Sequence, residues 1–188
     1  LAVALTFPLL TLPGAKAANA IDTDAECSIQ FDIGGNSSEL LSASIPVNLY
    51  KVASVDVSGN YTATGTFAKL DLSSVSADNL DTAAATWSER AAEAKKLLKD
   101  DTEPTTTVTL TQGRGTATRL KTGLYLVDTP KVITPNYTYT FTPYLVSLPT
   151  NNYYNGKDAS DNWIYNLTGS NAVGLKTEQH VRYGNLVI

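Results

Sequence analysis

The sequence holds one cysteine, one histidine and no cluster of basic residues, and each scarcity removes a class of function. A single cysteine excludes any internal disulfide. One histidine and one cysteine cannot supply a zinc set, and no metal-ligand spacing occurs elsewhere. His180 lies in a polar segment with no serine or cysteine elbow beside it, so a nucleophile and base have nothing to build on. No glycine-rich loop opens a helix to cradle a phosphate, and no cofactor is expected. The net charge of −4 leaves out the basic face that supplies most nucleic-acid affinity. The apolar run at residues 1–12 is too short to span a bilayer.

What is present fits an exported, strand-rich protein. The 188 residues suit one domain of ordinary size, with at most a fragment of a second. The chain opens LAVALTFPLLTLPGAKAANA without an initiator methionine. The apolar run is followed by Pro13 and Gly14. Either Ala15-Lys16-Ala17 or Ala18-Asn19-Ala20 then supplies small-x-small cleavage geometry. Residues 1–20 therefore read as the remnant of a secretory signal and are set aside from the fold. Cys27 alternates with Ile29, Phe31 and Ile33, which makes it a core thiol and not half of a thioester.

The most informative stretch is residues 122–149, TGLYLVDTPKVITPNYTYTFTPYLVSLP. It predicts three consecutive strands, LYLV, YTYTF and YLVSL, punctuated by Pro130, Pro135-Asn136 and Pro149. Their aromatic and β-branched residues suit a pleated, half-buried surface. Upstream, residues 27–33 alternate as a first strand, residues 34–38 form a turn, and residues 44–55 are a strong strand with Ile45, Val47 and Leu49 on one face. Residues 61–67 return as a hairpin partner. Residues 105–110 are another strand, Gln112 to Gly115 a turn, and residues 163–167 the last strand of the domain. Residues 151–162 are polar and glycine-bearing, hence a surface loop. Residues 175–179 are expected to lead away from the domain.

Helical periodicity occurs once. Leu80, Ala84, Trp87, Ala91, Ala94 and Leu98 form one apolar stripe. Asp78 or Asp81 is expected to cap its start, and Lys95, Lys96 and Lys99 suit its C-terminal dipole. Trp87 should pack this helix on an open end or face of the strand layers.

The GLYLVDT and PYLVSLP pieces, followed by Trp163, Ile164, Tyr165 and a lysine, resemble the N-terminal domain of sortase-assembled pilin subunits of Gram-positive bacteria. Gly115, Leu120, Gly123 and Tyr125 repeat the hairpin layout of that family. The resemblance covers roughly residues 21–188. It implies an all-β, immunoglobulin-like (prealbumin-like) β-sandwich with one inserted α-helix. It also implies a domain over residues 21–178 and, at 179–188, a linker and the truncated start of a following domain. On this reading the chain is a fragment cut at both ends.

Two roles for lysine follow from the resemblance. Pilin subunits are joined when a lysine amine of one attacks the sortase-bound acyl carbonyl of the next, and Lys176, downstream of Trp163 and Tyr165, has that position. The family places a proline before this lysine, where Leu175 stands here; Lys157 is the weaker candidate. Many domains of this class also hold an internal isopeptide bond between a lysine and an asparagine, assisted by a buried acid. Lys51, Asp128 and Asn166 are the residues that could make it here, although the usual first-strand lysine is absent.

The resemblance thus implies a structural, non-enzymatic subunit of a pilus or cell-wall-anchored surface protein. It would be secreted, displayed at the cell wall, and partnered by a pilus sortase and neighbouring subunits. The alternative is a tip adhesin whose Tyr153 and Tyr154 meet a host glycan or matrix protein. Asp158 and Asp161 share that loop and could touch a cation, but a solvated loop is the simpler reading.

Overall fold

The computed structural model describes residues 19–35, 37–80, 82–151 and 163–183. Alternation of side chains builds most of it. In β1 (Glu26–Asp32) Cys27, Ile29 and Phe31 turn inward while Ser28 and Gln30 turn out. A short helix, α1 (Ser38–Ser42), follows, its first turn capped by the Ser37 hydroxyl, which accepts from the Leu40 amide. Sequence patterning shows only a turn near this position. The longest strand, β2 (Ile45–Val55), is followed by β3 (Tyr61–Ala63) and a turn of 3-10 helix at Gly65–Phe67. Helix α2 (Ala84–Leu97) comes next. The hairpin β4 (Thr106–Leu110) and β5 (Arg114–Lys121) then leads to β6 (Gly123–Asp128).

The β4–β5 connection shows why the turn falls where it does. Gln112 and Gly113 both take positive φ, 51° and 76°, between paired Thr111 and Arg114. That is the two-residue hairpin whose twist matches the flanking strands.

Beyond β6 lie β7 (Val132–Ile133), β8 (Tyr137–Thr142), β9 (Tyr144–Leu148), β10 (Thr150–Asn151), β11 (Trp163–Ile164), β12 (Asn166–Leu167) and β13 (Lys176–Val181). One layer has the order β3-β2-β6-β9, with β4 also paired to β2. The facing layer contains β12-β1-β5 and β13-β8-β7, while β10 and β11 pair with each other. Between the layers sits the main core, which includes Phe31, Leu49, Tyr125, Tyr139 and Leu148. The outer face of the β2–β6–β9 layer carries a second core. There Tyr50, Val52, Leu124 and Leu126 meet Phe67, Leu70 and α2 through Trp87, Ala91 and Ala94. The molecule is therefore an all-β sandwich with one long inserted helix laid over a face of it. Every residue of β6 is buried, because it is covered on both sides.

The structure alters the expected picture in several places. Three strands do follow residue 122, but the middle one does not lie between its neighbours. β6 pairs directly with β9, and β8 crosses to the facing layer, where it joins β7 and β13. α2 starts at Ala84 behind Ala83, which gives no side-chain cap. Asp78 instead accepts from the Ser76 hydroxyl, while Asp81 lies outside the described residues. Asn79 takes over near the helix start: its Oδ1 accepts from the Trp87 indole N–H at 2.9 Å and from the Ser76 amide.

The expected last strand is divided. Trp163 and Ile164 pair with β10, and Asn166 and Leu167 run parallel to β1. Residues 176–181 do not simply lead away; they form β13, antiparallel to β8 from Lys176–Thr142 to Val181–Tyr137. The boundary expected at residue 178 falls inside this strand, and His180 sits within it. Among the described residues no helix is long and apolar enough to cross a membrane. Residues 1–18 and 184–188, where most of the leader and the start of a following domain were expected, lie outside the described residues.

Candidate functional site: the Lys176 edge

Lys176 opens β13, a strand whose six residues are all exposed. It is paired on one side only, to β8, so the other edge is open. The Nζ lies 5.7 Å from the centroid of the Tyr144 ring. An ammonium at that distance is attracted by the negative face of the ring, about 0.5–1 kcal/mol at an exposed site. The Tyr144 hydroxyl donates to the Gly174 carbonyl at 2.7 Å, which ties the start of β9 to the approach to Lys176. Burial pushes the Tyr144 phenol above its ordinary value.

A groove of about 620 Å³ runs along β9 and ends at Lys176. Leu80 and Trp87 border it at the far end, and Val146, Ile164, Val173 and Tyr144 line its course. It exists because β9 is the last strand of its layer, paired to β6 alone, while the segment before β13 arches past that edge. The lining is mainly apolar, and Lys176 is part of it.

The three residues considered for an internal bond are not brought together. Lys51 shares the inward parity of Val47 and Leu49 and reaches toward Gly123 and Cys27. Burial lowers its amine pKa, and Lys121 nearby lowers it further. Asp128 takes the opposite side of the layer, where its carboxylate meets Lys95 of α2 at 2.5 Å. Asn166 is exposed on the outside of the facing layer and accepts from the Ser28 hydroxyl at 2.8 Å. The trio therefore spans both faces of one layer and the outer surface of the other. Asp128 is misread from sequence because GLYLVD is buried on both faces, so parity alone does not show which side holds an acid.

Cys27 is 1% exposed, and burial raises its thiol pKa to about 11. It is a protonated core residue in the folded chain. His180 is exposed and its Nε2 lies 3.2 Å from the Thr140 hydroxyl, with Glu178 as its other neighbour. No group of three His, Cys, Asp or Glu side chains among the described residues could hold a metal ion. Lys157, Tyr153, Tyr154, Asp158 and Asp161 lie outside the described residues.

Neither a family model nor a curated protein matches the chain. Among solved structures it is similar to the fimbrial protein FimP from Actinomyces oris, at 19% identity and a TM-score of 0.49. It is also similar to the full-length major pilin SpaD from Corynebacterium diphtheriae, at 23% identity and a TM-score of 0.42. In both cases 85% of this chain is covered but only 31% of the other, so the chain spans about a third of those proteins.

Proposed function

We propose that the chain is the N-terminal sandwich domain of a pilus subunit, exported to the cell surface and joined to its neighbour through Lys176 by a sortase. The observation that supports this most is the placement of Lys176: an exposed residue that opens an edge strand and lines a mainly apolar groove. The family resemblance of the GLYLV and PYLVSLP pieces concerns β6 and β9, the strand pair whose free edge forms one wall of that groove.

In the joining step the Lys176 nitrogen attacks an acyl carbonyl held by the sortase. The new N–C bond forms as the bond from that carbon to the enzyme breaks, and the nitrogen loses a proton. The amine must be neutral when it attacks. The groove would receive the extended acyl-donor segment along the open edge of β9, with main-chain bonds for affinity and the apolar lining for side-chain fit. Lys51, Asp128 and Asn166 take no part in this reading.

The test is polymerisation by the cognate pilus sortase with a partner carrying a sorting signal. Lys176→Ala and Lys176→Arg should both abolish the covalent product, because arginine keeps the charge and the ring contact but offers no amine. Lys157→Ala should leave the product intact. Undiminished polymer from either Lys176 variant refutes the assignment.

A further inference from the structure

The open edge of β13 is self-complementary, in its main chain and in its side chains. We propose that two copies of this chain associate by pairing these edges antiparallel, with Gln179 opposite Gln179 on a two-fold axis. The proposal is independent of the role given to Lys176.

The edge is regular. β13 spans six residues, and its register with β8 runs from Lys176–Thr142 to Val181–Tyr137 without a bulge. It holds no proline, and the amine of its one lysine lies over the Tyr144 ring. At the other side of the same sheet, β7 is two residues long. A very short edge resists pairing, whereas a longer, flat and unbulged one is a template for another strand.

The ladder shows which main-chain groups that template offers. In an antiparallel pair, successive residues turn their N–H and C=O alternately toward the partner strand and away from it. The Arg182 amide donates to the Asn136 carbonyl at 2.9 Å, so the even-numbered residues of β13 face β8. The Tyr137 carbonyl agrees: opposite Val181, it turns from β13 to accept from the Thr134 amide at 2.8 Å. Thr177, Gln179 and Val181 therefore direct their main-chain groups to the open edge.

Centring the axis on Gln179 matches all three. Gln179 meets its own copy and Thr177 meets Val181 of the second copy, each pair exchanging both of its main-chain hydrogen bonds. The same register sets Glu178 opposite His180 of the second copy, in the closer, non-hydrogen-bonded kind of pair, where an imidazole N–H can donate to the carboxylate. Moving the axis to Glu178 opposes two carboxylates, which is destabilising, and leaves Val181 unmatched. Moving it to His180 opposes two imidazoles and leaves Thr177 unmatched. Val181, 59% exposed in the single copy, gains a β-branched neighbour in the favoured register.

Sedimentation of the whole protein over a concentration series, with no sortase present, should show a reversible monomer–dimer equilibrium. Gln179→Pro removes one outward donor per copy and no bond to β8. It should melt with the parent and weaken association roughly 30-fold, the effect of two lost hydrogen bonds. Disulfide trapping reads the register separately. Glu178→Cys and His180→Cys chains, mixed and gently oxidised, should form the mixed dimer faster than either variant dimerises alone, because such a pair holds its Cα atoms about 4.5 Å apart. Cys27, 1% exposed, does not compete. A protein that stays monomeric at every concentration leaves the edge to a different strand and overturns the proposal. So does a dimer that Gln179→Pro leaves as tight as before, or faster trapping of Glu178→Cys with itself.

Discussion

Lys95 and Asp128 are ion-paired across the seam between α2 and the strand layer, with Nζ 2.5 Å from Oδ2. The Asp128 side chain is 10% exposed and that of Lys95 47%, so one end of the pair is sheltered and the other reaches water. Asp128→Asn should therefore lower unfolding stability modestly, by about 1 kcal/mol or less, and the deficit should shrink as salt is raised. Urea titrations at low and high ionic strength measure it. A loss that salt leaves unchanged would mean that the pair is not acting as an ion pair.

The same placement predicts the intact mass of the folded protein. Lys51, Asp128 and Asn166 lie on different surfaces, so no Lys51–Asn166 cross-link, with its loss of one ammonia, should be found in the intact mass. A mass short by one ammonia, mapped to a Lys51–Asn166 cross-link, would contradict the strand register.

Trp87 holds α2 to the sandwich. It is 3% exposed, meets Tyr61 edge-on with 6.1 Å between ring centroids, and gives its indole N–H to Asn79. Trp87→Ala should cost about 3–5 kcal/mol, the range for emptying a large aromatic site. Trp87→Phe retains a ring and loses the hydrogen bond, so about 1–2 kcal/mol is expected. Equal losses from the two substitutions in chemical denaturation would contradict this division between packing and the bond.

Acid sensitivity should have a local source in Glu39. Its carboxylate accepts from the Thr134 hydroxyl, the Asn136 side-chain amide and the Asn136 backbone amide, which hold it below its ordinary value of 4.5. A lowered carboxyl stabilises the fold above its unfolded value, and that contribution fades as pH falls through the folded value. Glu39→Gln should melt at a lower temperature than the parent at pH 7, and the two curves should converge below about pH 4. Asp32 and Asp56 are also lowered, by backbone and side-chain donors around them, so the variant keeps part of its acid dependence. A gap that is constant with pH would show that the charged form of Glu39 is not what matters.

Gly123 is irreplaceable for a steric reason. Its φ is 148°, and an added Cβ would sit 2.4 Å from the Ala53 carbonyl oxygen on the neighbouring strand. Gly123→Ala should cost about 1–3 kcal/mol through backbone strain and overpacking. A midpoint equal to the parent's would show that β2 and β6 are looser there than their pairing implies.

Much of the sandwich was readable because alternation is local information. Cys27, Ile29 and Phe31, or Val47 and Leu49, declare an inner face without knowledge of their partners. The displacement of β8 was not readable: YTYTF announces a strand, but nothing in it says whether it pairs with β6 or with β13. β13 itself was missed because KTEQHV has no buried face and therefore no hydrophobic pattern to follow. The start of α2 was misplaced because Asp78 has the right chemistry for a cap but spends it on Ser76. Lys176 was singled out only through the family resemblance. The groove beside it depends on β9 being an edge strand, a fact about the layer order that no short stretch carries.

Were subunits joined at Lys176, as proposed, the open strand that begins there would decide which part of the chain feels tension. In a polymer joined at that side chain and continued through the residues after Val181, pull enters at the first residue of β13 and leaves at its far end. Residues 19–175 then hang beside the load path. What they contribute under stretch is an anchorage, the shear resistance of the β8–β13 ladder, with Arg182 bonded to the Thr134 carbonyl at its downstream end.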